Sequence, residues 1–496
     1  MNKQECAIKY VEDNYLQFNR LRHDIIADKL QVRCAHPIGD RLRAPHDTSV
    51  AGDPAEAKGE RQEQWREMTK HDINSIVCHA AQEYDANITS REVMTALQSD
   101  LIPDVHPLRE YVLSCGEWTE EQPDWIDWVA SRVRVRDSAL DNGRLKEAIG
   151  RSQSELLDGT ACLLDNGTHS EASHSPQSGR PIGGTPSYSP NGASSGSSAD
   201  RLWRGCFKKW FVAMVASWMK DEVVNHQVLV LIGKQGIFKT TWLEHLIPPH
   251  LRAYACKLAN SNDLNKDERL RIAEFGLISL DEIDSMNNRE LNQLKSVITA
   301  TDVNERAAYA YTKERRVRLA SFCASGNRRD FLTDITGNRR WLPFEVESIQ
   351  NPFYTLLPYE RMYAQAWALA QDPLFSYWFD LDEIEVLEEH NQYFRDESNE
   401  EQLLPILFDV PAEGRGEFMT TAQISERLVT YGNIKKPMAL SRLGMVLGAA
   451  GFRAVTRKAG SGRARGWIVY QRDNNEINAL RRLLKDDTSQ HDTAIY

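Results

Sequence analysis

Apolar positions along the chain fall into two patterns. Short unbroken runs, at 228–232 (VLVLI), 275–280 (FGLISL) and 318–324 (RLASFCA), read as buried strands. Runs with helical spacing read as amphipathic helices. Ile73, Ile76, Val77 and Ala80 share one such face, and Thr89 with Glu92 and Thr420 with Gln423 form capping boxes at two helix starts. Residues 1–33 read as a helix followed by a hairpin-like run, and 36–62 as polar loop. From Trp65 to about Arg136 the pattern is mainly helical. Its aromatics Tyr111, Trp118, Trp125 and Trp128 are expected mostly in the core, with base stacking as the alternative. Residues 201–225 predict a helix beneath the first buried strand, with Lys208 and Lys209 on a solvated face or, alternatively, toward phosphate. A helix follows Thr241 until Pro248 and Pro249 stop it, and another covers about 284–298. Residues 350–412 read as helical. Beyond them come a helix, a second helix closed by Gly451, and two strands around a Gly-rich basic turn, the order of a winged helix.

Composition changes this picture in three places. Residues 137–199 are rich in Ser, Gly and Pro with almost no large aliphatics, so they predict a flexible linker. The length of 496 residues suggests two to four domains. The net charge of −11 means that any attraction to nucleic acid must come from a local patch. From Arg427 to Arg472 there are ten basic residues and no acidic one, which is such a patch. Eight scattered cysteines without CxxC spacing argue against structural zinc and a disulfide framework, and fit a reducing cytoplasm. The apolar run at 210–219 is too short to span a bilayer and the N-terminus shows no signal-peptide pattern, so no membrane association is expected.

The chemistry centres on residues 226–241, HQVLVLIGKQGIFKTT. Gly233, Gly236, Lys239, Thr240 and Thr241 follow the first strand at P-loop spacing, in which backbone N–H groups cradle phosphates, the lysine neutralises them and the hydroxyl ligates Mg²⁺. Phe238 stands where glycine is usual, and a ligand-free strand-to-helix turn is the bland alternative. Asp281 and Glu282 end the second strand; behind a P-loop, the aspartate holds Mg²⁺ and the glutamate polarises the attacking water. Asn327, at the tip of the third strand, is placed to sense the γ-phosphate, or merely to cap a turn. Arg339 and Arg340 are candidate arginine fingers for a neighbouring subunit, or plain surface arginines. Between the second and third strands Lys313, Arg315 and Arg316 accompany Tyr309 and Tyr311, which suits a hairpin on single-stranded DNA as well as an ordinary charged hairpin. Arg457, Lys458, Arg463 and Arg465 crowd the C-terminal turn, for duplex phosphates or for a docking protein.

The series GKQGIFKTTW, LISLDEID, LNQLKSVIT, ERAAYAY, RLASFCASGN and TGNRRWLPFEV resembles the virulence-associated protein E family, which is placed near superfamily 3 helicases and other AAA+-like P-loop ATPases of mobile elements. The resemblance is dense over about 200–350. It implies a multidomain chain with an α/β P-loop NTPase core: a mainly helical N-terminal region (1–136), a linker (137–199), the core (200–350), a helical connector (351–412), a winged-helix-like basic domain (413–475) and a C-terminal helix and tail (476–496). It implies ATP and Mg²⁺ as cofactors, and a homo-oligomeric DNA motor, a hexamer being one candidate, with a separate primase as a candidate partner. The alternatives are an ATP-gated DNA-binding initiator or regulator that does not translocate, and a mobile-element defence ATPase.

Overall fold

The computed structural model describes residues 1–33, 65–136, 197–258, 266–305, 314–334, 337–354, 356–411, 416–459 and 462–478. The expected linker lies almost entirely outside them, as do Lys313, Tyr309 and Tyr311.

At the N-terminus the helix Lys3–Val11 is followed by strands β1 (Leu21–Asp24), β2 (Lys29–Arg33), β3 (Trp65–Glu67) and β4 (Asp104–Val105), ordered β3-β2-β1-β4. The helices Lys70–Glu83 and Ser90–Leu97 pack on this sheet, burying Ile76, Ala80, Val93, Ala96 and Leu97. The hairpin-like run read after the first helix is the β1–β2 pair, and the stretch from Trp65 read as mainly helical adds β3 and β4 to it. These two added strands are three and two residues long, too short to announce themselves by alternation.

The centre of the molecule is a mixed α/β unit. Its strands are β5 (Val133–Val135), β6 (Val228–Ile232), β7 (Ala255–Leu258), β8 (Leu277–Leu280), β11 (Ser321–Gly326) and β12 (Trp341–Ile349), and β9 (Asp302–Glu305) with β10 (Glu314–Val317) form a separate antiparallel hairpin. The order is β5-β12-β6-β11-β8-β7, and all neighbours except β5 and β12 run parallel. Parallel strands are covered on both faces, which explains the unbroken apolar runs. Every residue of β6, β8 and β11 is buried.

The helix Ser198–Met219 packs beneath this sheet, with Trp203, Phe207, Trp210, Phe211 and Trp218 fully buried. Each such side chain contributes about 1.5–3 kcal/mol. Leu108, Val112, Ile126, Val129 and Val133 join the same core, so the 107–135 segment packs with the central unit across the linker. Tyr111 meets Tyr363 edge-on at 5.4 Å, and Trp125 lies under Arg361, so these aromatics are packing residues. The solvated-face reading of Lys208 and Lys209 is corrected here. Lys208 pairs with Asp124, and Lys209 is buried with its ammonium 2.5 and 2.7 Å from the Glu383 carboxylate oxygens. Both partners are remote in sequence, so helical spacing could not reveal them. Neither lysine faces a phosphate site.

After the helices Tyr359–Gln371 and Leu381–Gln392 the chain builds a last cluster. It contains the helix Asn399–Leu407, β13 (Phe408–Asp409), β14 (Glu417–Met419), the helices Thr421–Gly432 and Leu440–Ala449, and the hairpin of β15 (Arg453–Ala459) and β16 (Gly462–Gln471). Leu404, Leu407, Ile424, Leu428, Leu443, Leu447, Trp467 and Val469 form its core. The Asn399–Leu407 helix, read as connector, thus packs with the C-terminal elements.

Candidate nucleotide site

The topology of the sheet decides what meets what. β11 inserts between β6 and β8, with Gly326 level with Ile232 and Ala324 level with Leu280. The strand ends carrying the P-loop, Asn327 and the Asp281–Glu282 pair therefore lie side by side at the carboxyl edge of a parallel sheet, where such folds bind ligands. Gly233 sits so close to β12 that a Cβ there would lie 2.7 Å from the Val346 carbonyl oxygen. Gly236 has φ +85°, a conformation open to glycine without steric cost.

Lys239 opens the helix Lys239–Glu244 and is buried. Its ammonium donates to the Gly233 and Lys234 carbonyls, both at 2.8 Å, and to Asn327 Oδ1 at 3.3 Å. Burial pulls its pKa below the ordinary value, against the opposing pull of Asp284 and Asp281. Thr240 Oγ1 lies 3.3 Å from Asp281 Oδ1 and 2.9 Å from Ser325 Oγ. Ser325 in turn donates to Asp281 Oδ1 at 2.7 Å. On its other oxygen Asp281 meets Lys257 Nζ at 2.8 Å. Burial works against ionisation of Asp281, but hydrogen bonds from Lys257, Ser325 and Thr240 outweigh it and hold the carboxyl below its usual range. Thr241, one residue on, accepts at its carbonyl from the His245 ring at 2.7 Å and sits within the helix turn.

Two non-glycine residues at this edge hold left-handed backbone. Phe238 has φ 68° and ψ 20°, and Glu282 has φ 53° and ψ 47°. Each such conformation costs about 1–2 kcal/mol, and strain of this kind gathers at functional sites. The usual glycine before the lysine answers the same backbone requirement. Phe238 meets it at a cost, the residue being 36 % exposed while the neighbouring Ile237 packs against the core. Glu282 is exposed beside the site.

Sequence reasoning missed Ser325, Lys257 and Asp284. Asp284 accepts from the backbone N–H groups of Asn327 at 3.1 Å and Arg328 at 3.0 Å, fixing the loop that carries Asn327. A Cβ at Gly326 would lie 2.8 Å from Asp284 Oδ1, so the close approach requires glycine there. No pattern flagged these residues, because a serine inside an apolar strand and a lysine near a strand end are unremarkable locally.

The donors that meet at Asp281 are oxygens of a hydroxyl and a carboxylate, a hard set of the kind Mg²⁺ takes, and the buried Lys239 ammonium stands beside them. A magnesium-bound nucleotide fits these residues.

The remaining candidates lie elsewhere. Arg339 and Arg340 form a 3-10 turn ahead of β12, and Trp341 is level with Val228, the first residue of β6. They lie at the opposite edge of the sheet, about 13 Å of strand from their own P-loop. The Gln227 amide lies 2.8 and 3.2 Å from their carbonyls. On the β9–β10 hairpin Arg315 pairs with Asp302 at 2.7 Å, while Arg316 turns toward Asp28 at 3.6 Å and Glu274 at 3.7 Å. Of the ten basic residues near the C-terminus, Arg472 pairs with Asp409, Arg442 donates to the Thr333 carbonyl, and Arg457 lies over Phe418. Arg457, Lys458, Arg463 and Arg465 are exposed on β15 and β16, and among the described residues no ion pair engages them. The described residues hold no cluster of metal-ligating side chains of the kind that structural zinc requires, and no helix among them is long and apolar enough to cross a membrane.

Among solved structures, the chain is similar to the apo structure of the NrS-1 C terminal region, with 10% identity, TM-score 0.39, and coverage of 94% of this chain and 100% of that one. It is also similar to the A form apo structure of that region, with 10% identity, TM-score 0.36, and coverage of 91% and 96%. No curated protein matches the chain. Residues 193–401, which hold β6 to β12 and every group of the site just described, match the virulence-associated protein E-like domain, and the chain carries such a domain.

Proposed function

We propose that the protein is a Mg²⁺-dependent ATPase that acts on DNA in the replication of a phage, plasmid or integrative element. The observation that carries this reading is the meeting of Lys239, Thr240, Asp281 and Asn327 from three adjacent strand ends. The carried domain and the resemblance to helicase-like ATPases give the DNA-directed part.

In this reading Lys239 exchanges the Gly233 and Lys234 carbonyls for the β/γ-phosphates. Thr240 and Asp281 hold the metal, and Ser325 orients Asp281 through its 2.7 Å hydrogen bond. Bound magnesium supplies charge neutralisation at the phosphates. Glu282 polarises the attacking water and Asn327 senses the γ-phosphate. Arg339 or Arg340 serves a neighbouring subunit, since the width of the sheet separates both from their own P-loop. The reading therefore includes a homo-oligomer, a hexamer being one size that would serve. The β9–β10 hairpin with Arg315 is the candidate contact for single-stranded DNA, with Arg316 anchoring its base; Lys313, outside the described residues, is retained as a candidate from the sequence alone. The C-terminal cluster is read as a winged-helix-like module whose β15–β16 hairpin grips duplex phosphates.

The test is ATP hydrolysis by the full chain with and without single-stranded DNA, beside Lys239→Ala. DNA-stimulated turnover that the substitution abolishes is the expected result. Turnover indifferent to DNA leaves a nucleotide-gated initiator, and turnover that survives Lys239→Ala overturns the site.

A further inference from the structure

One cation at this edge belongs to no motif. Lys257 is the penultimate residue of β7, level with Ser279 of β8, and the Asp281 N–H donates to the neighbouring Leu258 carbonyl at 3.2 Å. The ends of β7 and β8 thus hold Lys257 and Asp281 side by side. The two oxygens of Asp281 are divided between different partners. Oδ1 faces Thr240 and Ser325, while Oδ2 takes the Lys257 ammonium at 2.8 Å. The Lys257 side chain is 46% exposed, so it can leave without unpacking anything, and Glu244 and Glu282 lie near enough to attract it electrostatically.

We propose that Lys257 is a positioning residue that stands in for the metal: it neutralises Asp281 until a divalent cation arrives beside Thr240, and then gives way toward Glu244 and Glu282. The inference rests on the reading of Asp281 as a metal-holding group. A carboxylate that has lost water to neighbouring hydroxyls needs a counter-charge, and a mobile ammonium supplies one without the rigidity of a buried pair. The same charge competes with the incoming divalent ion, because a monovalent and a divalent cation repel at this range. Lys257 thereby sets the magnesium concentration at which the site fills and keeps the empty site from carrying an unpaired aspartate.

The test is a Mg²⁺ titration of fluorescent ADP binding to the full chain, followed by anisotropy, with thermal unfolding in EDTA alongside. Lys257→Met should lower the half-saturating Mg²⁺ concentration about two- to fivefold, the range expected for removing a partly exposed ion pair. It should also lower the unfolding temperature in EDTA, and Lys257→Arg should restore both values. A Lys257→Met half-saturation that is unchanged, or that rises, overturns the proposal. Asp281→Asn separates the two levels. If it leaves the Mg²⁺ dependence as in the wild type, the metal reading itself fails. If it abolishes that dependence while Lys257→Met has no effect, only the role of Lys257 fails.

Discussion

Lys239→Ala is the perturbation that tests the site most directly. In the structure the Lys239 ammonium donates to two loop carbonyls at 2.8 Å and to Asn327. To meet a phosphate it must give up the carbonyls. A unit charge pair at about 4 Å near a protein surface is worth about 4 kcal/mol. The two surrendered hydrogen bonds offset about 1 kcal/mol each. The balance of about 2 kcal/mol predicts about a 30-fold rise in the Kd for magnesium-bound ATP. Fluorescent nucleotide titration measures it, with circular dichroism to show that the variant is folded. A Kd within about threefold of wild type in a folded variant would refute the reasoning, because the ammonium would then have no differential interaction with phosphate.

Further outcomes follow from other parts of the molecule. Lys209→Met leaves Glu383 buried without its counter-charge and should destabilise the protein by about 3–5 kcal/mol in denaturant unfolding, whereas Lys209→Met combined with Glu383→Leu should recover most of that loss. Protonated His23 donates from Nδ1 to Asp104 at 2.8 Å and from Nε2 to Asp28 at 3.1 Å; burial lowers its pKa, but these carboxylates outweigh that and raise it. Its stabilising contribution is therefore full below the unfolded value of about 6.5 and disappears as pH rises through the folded value. His23→Gln should flatten the fall of unfolding temperature as pH rises above about 6.5. Replacing Arg457, Lys458, Arg463 and Arg465 with alanine should weaken duplex binding and reduce the slope of log affinity against log salt by about 1 for each phosphate no longer neutralised; an unchanged slope would remove the hairpin from the interface.

Local pattern carried the central strands, the capping boxes and the P-loop, because each is a short-range requirement. A strand covered on both faces must be buried and largely apolar, as β6, β8 and β11 are, with Ser279, Ser321 and Ser325 as the polar exceptions. A helix start needs its first N–H groups satisfied, as Thr420 and Gln423 do for the helix Thr421–Gly432. In the small N-terminal sheet the β1–β2 hairpin is legible, but β3 and β4 are not, since they are three and two residues long and β3 is drawn from beyond a long intervening segment. Lys208 and Lys209 defeat local reading for a related reason: their carboxylate partners Asp124 and Glu383 come from remote segments, and only packing shows that the Lys209 position is closed to water.

By itself, the order of residues determined which groups could do chemistry here: Lys239, Thr240, Asp281, Glu282 and Asn327 each follow an apolar run that must become a strand. The tertiary structure decided which of them meet. The insertion of β11 between β6 and β8 brings Asn327 to Lys239 and Ser325 to Asp281, and the parallel alignment of β12 with β6 leaves Arg339 and Arg340 at the far edge. Strand order is set by how helices and sheet faces bury apolar surface together, a property of the whole chain that no local spacing encodes.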